Sequence, residues 1–128
     1  PCYGDQVQTN GCKFAHVVLR GGALDGKYLS NIDKDSVAKL KNGLQTLGLN
    51  DFVMADLSHA NSQKVAQNQI DNAKMAILDK NINGIMMESY LSDGSDGDTY
   101  GVSKTDQCLG FEDTANLLEM LNEQFVKR

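Results

Sequence analysis

Asp56-Leu57-Ser58-His59-Ala60-Asn61-Ser62-Gln63-Lys64 is the stretch that decides how this chain is read. Phe52-Val53-Met54-Ala55 precedes it, short, apolar and β-prone. A long amphipathic pattern follows it, opened by Asn61 and Ser62, both good helix N-cap residues. The stretch therefore reads as a strand-to-helix junction. It places one histidine, several hydroxyl and amide side chains and a lysine at the carboxyl end of a strand, which is where α/β proteins carry their chemistry.

Outward from that junction the same unit repeats. Phe14 to Leu19 reads as a buried strand ending at Arg20 and broken by Gly21-Gly22, with His16 packed on its flank. Residues 21–32 read as a loop. Asp33 or Ser30 then caps a helix whose apolar residues Val37, Leu40, Leu44 and Leu47 fall at helical spacing. Gly48 closes it, with Leu49 set for the apolar contact that accompanies a glycine C-cap. The second strand is predicted over Phe52 to Leu57. The second helix is predicted from near Ser62, with Val65, Ile70, Ala73, Ile77 and Leu78 turned to the core. Asn83-Gly84 turns into a third strand, Ile85-Met86-Met87, which ends at Glu88 and whose methionines read as core filler. Residues 91–110 form a long loop. Its Asp93, Asp96 and Asp98 lack the ligand spacing of a calcium loop and read as solvated. The last helix starts near Glu112 or Asp113 and carries Leu117, Leu118, Leu121 and Phe125, with Lys127 and Arg128 suiting its far end. Three successive βα units predict an α/β fold with parallel strands, so Arg20, His59 and Glu88, each ending a strand, share one rim. An open three-stranded parallel sheet has two uncovered edges, which calls for further strands from elsewhere.

Composition narrows the partners. At 128 residues and 41% hydrophobic the chain falls in the range of one globular domain. Twelve basic against 17 acidic side chains give a net charge of -5, which argues against nucleic acid or an anionic membrane as partner. No run of about 18 apolar residues and no charged-then-apolar leader is seen, so cytoplasm is the expected location. Arginine occurs only at Arg20 and Arg128, which concentrates the planar anion-binding capacity on one side chain near the rim. Cys2, Cys12 and Cys108 lack C-x-x-C spacing and are expected to be reduced thiols, a Cys2 to Cys12 bridge being the alternative. Residues 1–13 are polar, with a turn at Asn10-Gly11. The opening Pro1 suits a piece of a longer polypeptide.

Four motifs in order carry a resemblance. They are Leu19-Arg20-Gly21-Gly22, Ser58-His59-Ala60-Asn61-Ser62 with Lys64, Gly84-Ile85-Met86-Met87-Glu88-Ser89, and Tyr100-Gly101 continuing through Ser103, Thr105-Asp106, Cys108 and Gly110. Together they resemble the carboxyl-terminal part of the synthases that make 3-deoxy-D-arabino-heptulosonate 7-phosphate, the enzymes that open the shikimate pathway of aromatic amino acid biosynthesis. The resemblance implies that residues 1–128 are the last three βα units of a single (β/α)8 barrel domain, in which about eight units are usual. It implies that His59, Glu88 and Asp106 hold a divalent metal, a ligand set suited to Mn, Fe, Co or Zn. The family's fourth ligand is a cysteine in a segment without a counterpart here, and Cys108 matches a loop cysteine instead.

The same resemblance makes Arg20 and His59 catalytic, with Arg20 holding phosphoenolpyruvate and Asp106 also facing substrate; a guanidinium forks onto carboxylate or phosphate. Ser58, Asn61, Ser62 and Lys64 are expected to orient His59 and cap the following helix. Tyr90 stands where many relatives have a second histidine, and Val102 and Lys104 interrupt the usual loop wording. The family's glycine-rich lysine and arginine motif for the sugar phosphate has no counterpart. The implied reaction is the metal-dependent condensation of phosphoenolpyruvate with erythrose 4-phosphate. The alternatives are the related octulosonate phosphate synthase, which uses a longer sugar, or a non-catalytic half-barrel interaction module. Either a homo-oligomer or association with the missing barrel half is expected, and the chain alone is expected to be inactive.

Overall fold

The computed structural model describes residue 4 and residues 6–126. Cys2, Lys127 and Arg128 lie outside the described residues, and with them the alternative Cys2 to Cys12 bridge and the charges expected at the last helix end. Eight elements follow in order: β1 (Val17–Leu19), β2 (Gly22–Leu24), β3 (Lys27–Leu29), α1 (Lys34–Thr46), β4 (Val53–Asp56), α2 (Asn68–Ala76), β5 (Gly84–Met86) and α3 (Phe111–Val126).

β1, β4 and β5 form a parallel sheet in the order β1-β4-β5, with Leu19 beside Ala55 and Asp56 beside Met86. Central position explains why β4 is the most buried strand: Val53, Ala55 and, just past it, Leu57 are fully buried, as expected when helices cover a parallel sheet. Val37 and Leu44 of α1, Ala73 and Ala76 of α2, and Leu117 and Leu121 of α3 close the core around it, together with Ile32 and Leu109. Among the described residues no helix is long and apolar enough to cross a membrane.

α1 begins and ends as its sequence dictates. Asp33 is the N-cap, its Oδ1 accepting from Ser36 N at 3.0 Å. Gly48 takes the left-handed φ of +64° that ends the helix, and Leu49 N donates back to Leu44 O at 2.9 Å. Leu47 and Leu49 are exposed.

Four expectations need correcting. The first strand is shorter than Phe14 to Leu19, and His16 lies before it, exposed, its ring meeting Phe52 edge-on at 5.2 Å between centroids. The stretch 21–32 is not a plain loop but contains the antiparallel β2–β3 hairpin. Asp25 and Gly26 turn it with φ of +51° and +75°, the positive pair that a two-residue type I′ turn demands. The second helix starts at Asn68 and not near Ser62. Residues 60–67 form successive turns in which Gln63 and Lys64 take φ of +56° and +57°, a conformation no helix interior allows. Finally, Val65, Leu78, Leu118 and Phe125 are exposed instead of buried.

Candidate metal centre

The carboxyl ends of β1, β4 and β5 converge because the register aligns them. Leu19 pairs with Ala55, so the next residues, Arg20 and Asp56, lie side by side, and Arg20 Nε donates to Asp56 Oδ2 at 3.1 Å. Asp56 is fully buried, and its other oxygen accepts from Ser58 N at 2.9 Å. Burying a carboxylate is costly unless it is paired and hydrogen-bonded, and this one is both.

Past Asp56 the chain turns sharply. His59 adopts φ of +48°, an uncommon conformation for a side-chain-bearing residue although His visits it more than most, and a dense set of bonds holds it there. Its carbonyl accepts from Lys64 N at 2.9 Å and from Ser62 Oγ at 3.1 Å, while Ser62 N donates to Ser58 O at 3.0 Å. Asn61 is buried at the point where the β1 and β4 ladder ends. Its Nδ2 donates to Leu19 O at 2.9 Å and Asp56 O at 2.8 Å, and its Oδ1 accepts from Asn31 N at 2.9 Å. Asn61 and Ser62 therefore staple a turn and do not cap a helix. The residue at the N-cap of α2 is Gln67, which makes no side-chain cap bond.

The turn aims the imidazole at the rim. Nδ1 is buried 2.7 Å from Asp56 Oδ2, off the line of a straight hydrogen bond. A carboxylate that close excludes a lone pair on Nδ1, so the proton of the neutral ring sits there and the Nε2 lone pair points outward. Nε2 faces Glu88 Oε1 at 3.8 Å and Asp106 Oδ2 at 3.9 Å. Glu88 stands two residues beyond the last β5 residue. Asp106 arrives from the 91–110 loop, which is drawn in by bonds from Leu109 N to Glu88 O at 3.0 Å and from Tyr90 N to Leu109 O at 2.9 Å.

One ligand atom from each of His59, Glu88 and Asp106 lies within 4.8 Å of the others. Atoms held about 2.0–2.2 Å from one ion sit at most about 4.4 Å apart, so the trio fits a shared divalent cation after a small inward closure. The donor chemistry fits as well, with one neutral imidazole nitrogen and two carboxylates offering hard and borderline ligands. Lys64 Nζ, 3.9 Å from Asp106 Oδ1, offsets only part of the negative charge gathered here.

Cys108 is buried beside the trio, its Sγ donating to Asp106 O at 3.4 Å. Burial pushes its thiol above the ordinary range and the Glu88 and Asp106 carboxylates push the same way, although a hydrogen bond with Ser103 opposes them, so the sulfur stays protonated. Arg20 joins the trio through Asp56 and leaves the rest of its guanidinium at the surface, its side chain 56% exposed. Asp96 is occupied locally, its Oδ1 accepting from Asp98 N and Thr99 N at 3.0 Å each. Asp56 itself was missed by sequence reasoning. The signal that could have found it is an acid closing an apolar strand three residues before the histidine.

Known proteins show the same arrangement of sequence. The model of the DAHP synthetase I family matches residues 3–119. Phospho-2-dehydro-3-deoxyheptonate aldolase of Haemophilus influenzae is 36% identical over 95% of this chain and 36% of its own length. The Phe-sensitive phospho-2-dehydro-3-deoxyheptonate aldolase of Escherichia coli K12 is 40% identical over 90% of this chain and 35% of its own. Among solved structures, phospho-2-dehydro-3-deoxyheptonate aldolase from Francisella tularensis superposes with a TM-score of 0.79 at 38% identity, covering 91% of this chain and 36% of that one. The chain thus spans about a third of the length of these relatives. With one family model running through all five described strands and into the last helix, the chain belongs to the DAHP synthetase I family.

Proposed function

We propose that this chain supplies the last three βα units of a (β/α)8 barrel and, with the rest of that barrel, catalyses the condensation of phosphoenolpyruvate with erythrose 4-phosphate, the first step of the shikimate pathway. The observation that carries the reading is the meeting of His59 Nε2 with the Glu88 and Asp106 carboxylates, at 3.8 and 3.9 Å, on the carboxyl rim of a parallel sheet. Catalytic residues of such barrels stand at that rim. Membership of the family and the names of the relatives support the substrate pair.

His59, Glu88 and Asp106 would hold the divalent cation, with at least one further ligand from the rest of the barrel. When bound, that cation supplies Lewis acidity at a substrate oxygen. Arg20, anchored through Nε on Asp56, turns its free nitrogens to the carboxylate or phosphate of phosphoenolpyruvate, and the anchoring keeps the fork in place. Asp56 lies 2.7 Å from Nδ1 of His59 and so holds the ring with Nε2 facing the ion. In the overall reaction the enol carbon bonds to the aldehyde carbon, whose oxygen takes a proton. Water adds at the enol-phosphate carbon, and the bond from that carbon to the phosphate oxygen breaks to release inorganic phosphate.

The test is phosphate release and product formation by the complete protein, given both substrates and Mn, before and after chelation. Turnover should vanish on chelation, return with Mn, and be lost in His59→Ala without loss of fold, because a rim residue adds little to the core. Full activity of His59→Ala with Mn would refute the ligand assignment. Turnover of a longer sugar phosphate in place of erythrose 4-phosphate would move the protein to the octulosonate branch. The 128-residue chain alone should show no turnover, since each missing contact to the developing charge costs about 10²- to 10³-fold.

A further inference from the structure

We infer that Gln69 is a positioning residue for the metal centre, acting on Glu88 and, through Leu109, on Asp106; the inference rests on the metal-binding reading above. Gln69 sits inside α2 and is fully buried. A primary amide in such a place is costly unless its donor and acceptor are both used. Both are used on one residue: Oε1 accepts from Glu88 N at 2.8 Å and Nε2 donates to Glu88 O at 3.1 Å. The side chain thus imitates a neighbouring strand.

A substitute strand is required at that point. β5 pairs with β4 as far as Met86, where Leu57 N still donates to Met86 O at 2.8 Å. Beyond it the β4 chain turns away at Ser58 to build the His59 turn, and the main chain of Glu88 loses its ladder partner. The Glu88 side chain is 35% exposed, so packing alone does not fix where its carboxylate lies. Its backbone does, through three bonds, two from Gln69 and one from Leu109 N at 3.0 Å. Leu109 lies three residues after Asp106 and shares the same carbonyl acceptor, so a shift of Glu88 O also shifts the loop that delivers the second carboxylate. Outer contacts of this kind ordinarily change metal affinity by about 10- to 100-fold when removed.

The experiment is a Mn titration of the metal-free complete protein and of Gln69→Met, which keeps the volume and removes both bonds. Asn72→Met serves as the control, because Asn72 Nδ2 donates to Leu57 O at 2.8 Å one turn along the same helix without touching a proposed ligand. Gln69→Met should weaken Mn by about 10- to 100-fold, while Asn72→Met lowers the melting temperature of the metal-free protein to a similar extent and leaves the Mn affinity within about twofold of wild type. Equal Mn affinity in wild type and Gln69→Met, or equal losses in the two variants, would overturn the positioning role. Should Gln69→Met fail to fold, Gln69→Glu, which keeps an acceptor for Glu88 N, is titrated under the same criterion. Failure of the wild type itself to bind Mn would instead remove the metal reading on which the inference stands.

Discussion

Asp56→Asn is the most searching single change, because it preserves shape and alters only the pattern of donors. The wild-type carboxylate accepts from Arg20 Nε and Ser58 N and lies against His59 Nδ1, all without exposure to solvent. An asparagine has one acceptor oxygen and one donor nitrogen. With its oxygen towards Ser58, the amide group opposes the donors of Arg20 and His59; turned round, it opposes Ser58 N–H. Hydrogen bonds to charged groups contribute about 1.5–3 kcal/mol. Arg20 is half exposed and water replaces part of what it loses, which holds its share to the lower end. The total loss should therefore be about 2–3 kcal/mol, below the 3–5 kcal/mol or so expected where both partners of a broken pair are buried. His59 also loses the group that fixes its tautomer, which should weaken Mn by about 10- to 100-fold. Urea denaturation of the metal-free complete protein and a Mn titration read the two effects separately. A stability change under about 0.5 kcal/mol together with wild-type Mn affinity would show that Asp56 neither holds the rim nor orients the imidazole.

Two further outcomes follow from the loops around the site. Gly21→Ala should cost roughly 2–4 kcal/mol, since φ is +69° and a Cβ would stand 2.7 Å from Leu29 O and 2.9 Å from Ala60 Cβ; Gly22→Ala, with nothing within 4 Å, should change stability by under about 0.5 kcal/mol, and similar urea midpoints for the two would defeat the argument. At the start of α1, hydrogen bonds from Ser36 hold the Asp33 carboxyl below its ordinary value of 3.8, so its contribution is fully present above about pH 4 and is lost as pH falls through the lowered value. Asp33→Asn keeps the cap and should flatten that part of the acid limb, whereas Asp33→Ala should cost about 1 kcal/mol at neutral pH. An acid limb identical in Asp33→Asn and wild type would be contrary to this account.

The order of the parallel strands and the helices, the Asp33 cap and the Gly48 stop were legible because each is written in a local pattern, either apolar periodicity or a residue with a particular backbone use. The meeting of His59 and Glu88 was legible for a different reason, since parallel strands bring their carboxyl ends to one rim whatever lies between them, whereas Asp106, on a loop, joins them in the sequence only through the family resemblance. What could not be read was decided by side chains reaching across sequence. Asn61 and Ser62 look like N-caps, and a local rule assigns them so; in the structure their bonds go to Leu19, Asp56 and His59, which leaves the 60–67 segment in turns and delays α2 to Asn68. Asp56 carries one local mark, an acid closing an apolar strand three residues before the histidine, whereas nothing local marks Gln69, an amide in the first turn of α2, as buried. The β2–β3 hairpin is different, because Asp25-Gly26 is itself a strong local turn signal.

Helical periodicity also identifies an apolar face without saying what covers it, and this bears on the proposed barrel. Leu118 and Phe125 fall on the apolar line of the last helix, yet both are exposed, and with Ile77, Ile82, Ile85 and Leu121 they line a groove along α3 beside edge strand β5. β5 pairs with β4 on one side, and among the described residues no strand pairs with its other side. A free strand edge bordered by an apolar groove is the form a sheet takes where the next strand and helix of a barrel belong, since pairing satisfies the edge and burial covers the groove together. Leu118 and Phe125, exposed along this groove, are thus residues that the further strands and helices of the proposed barrel would cover.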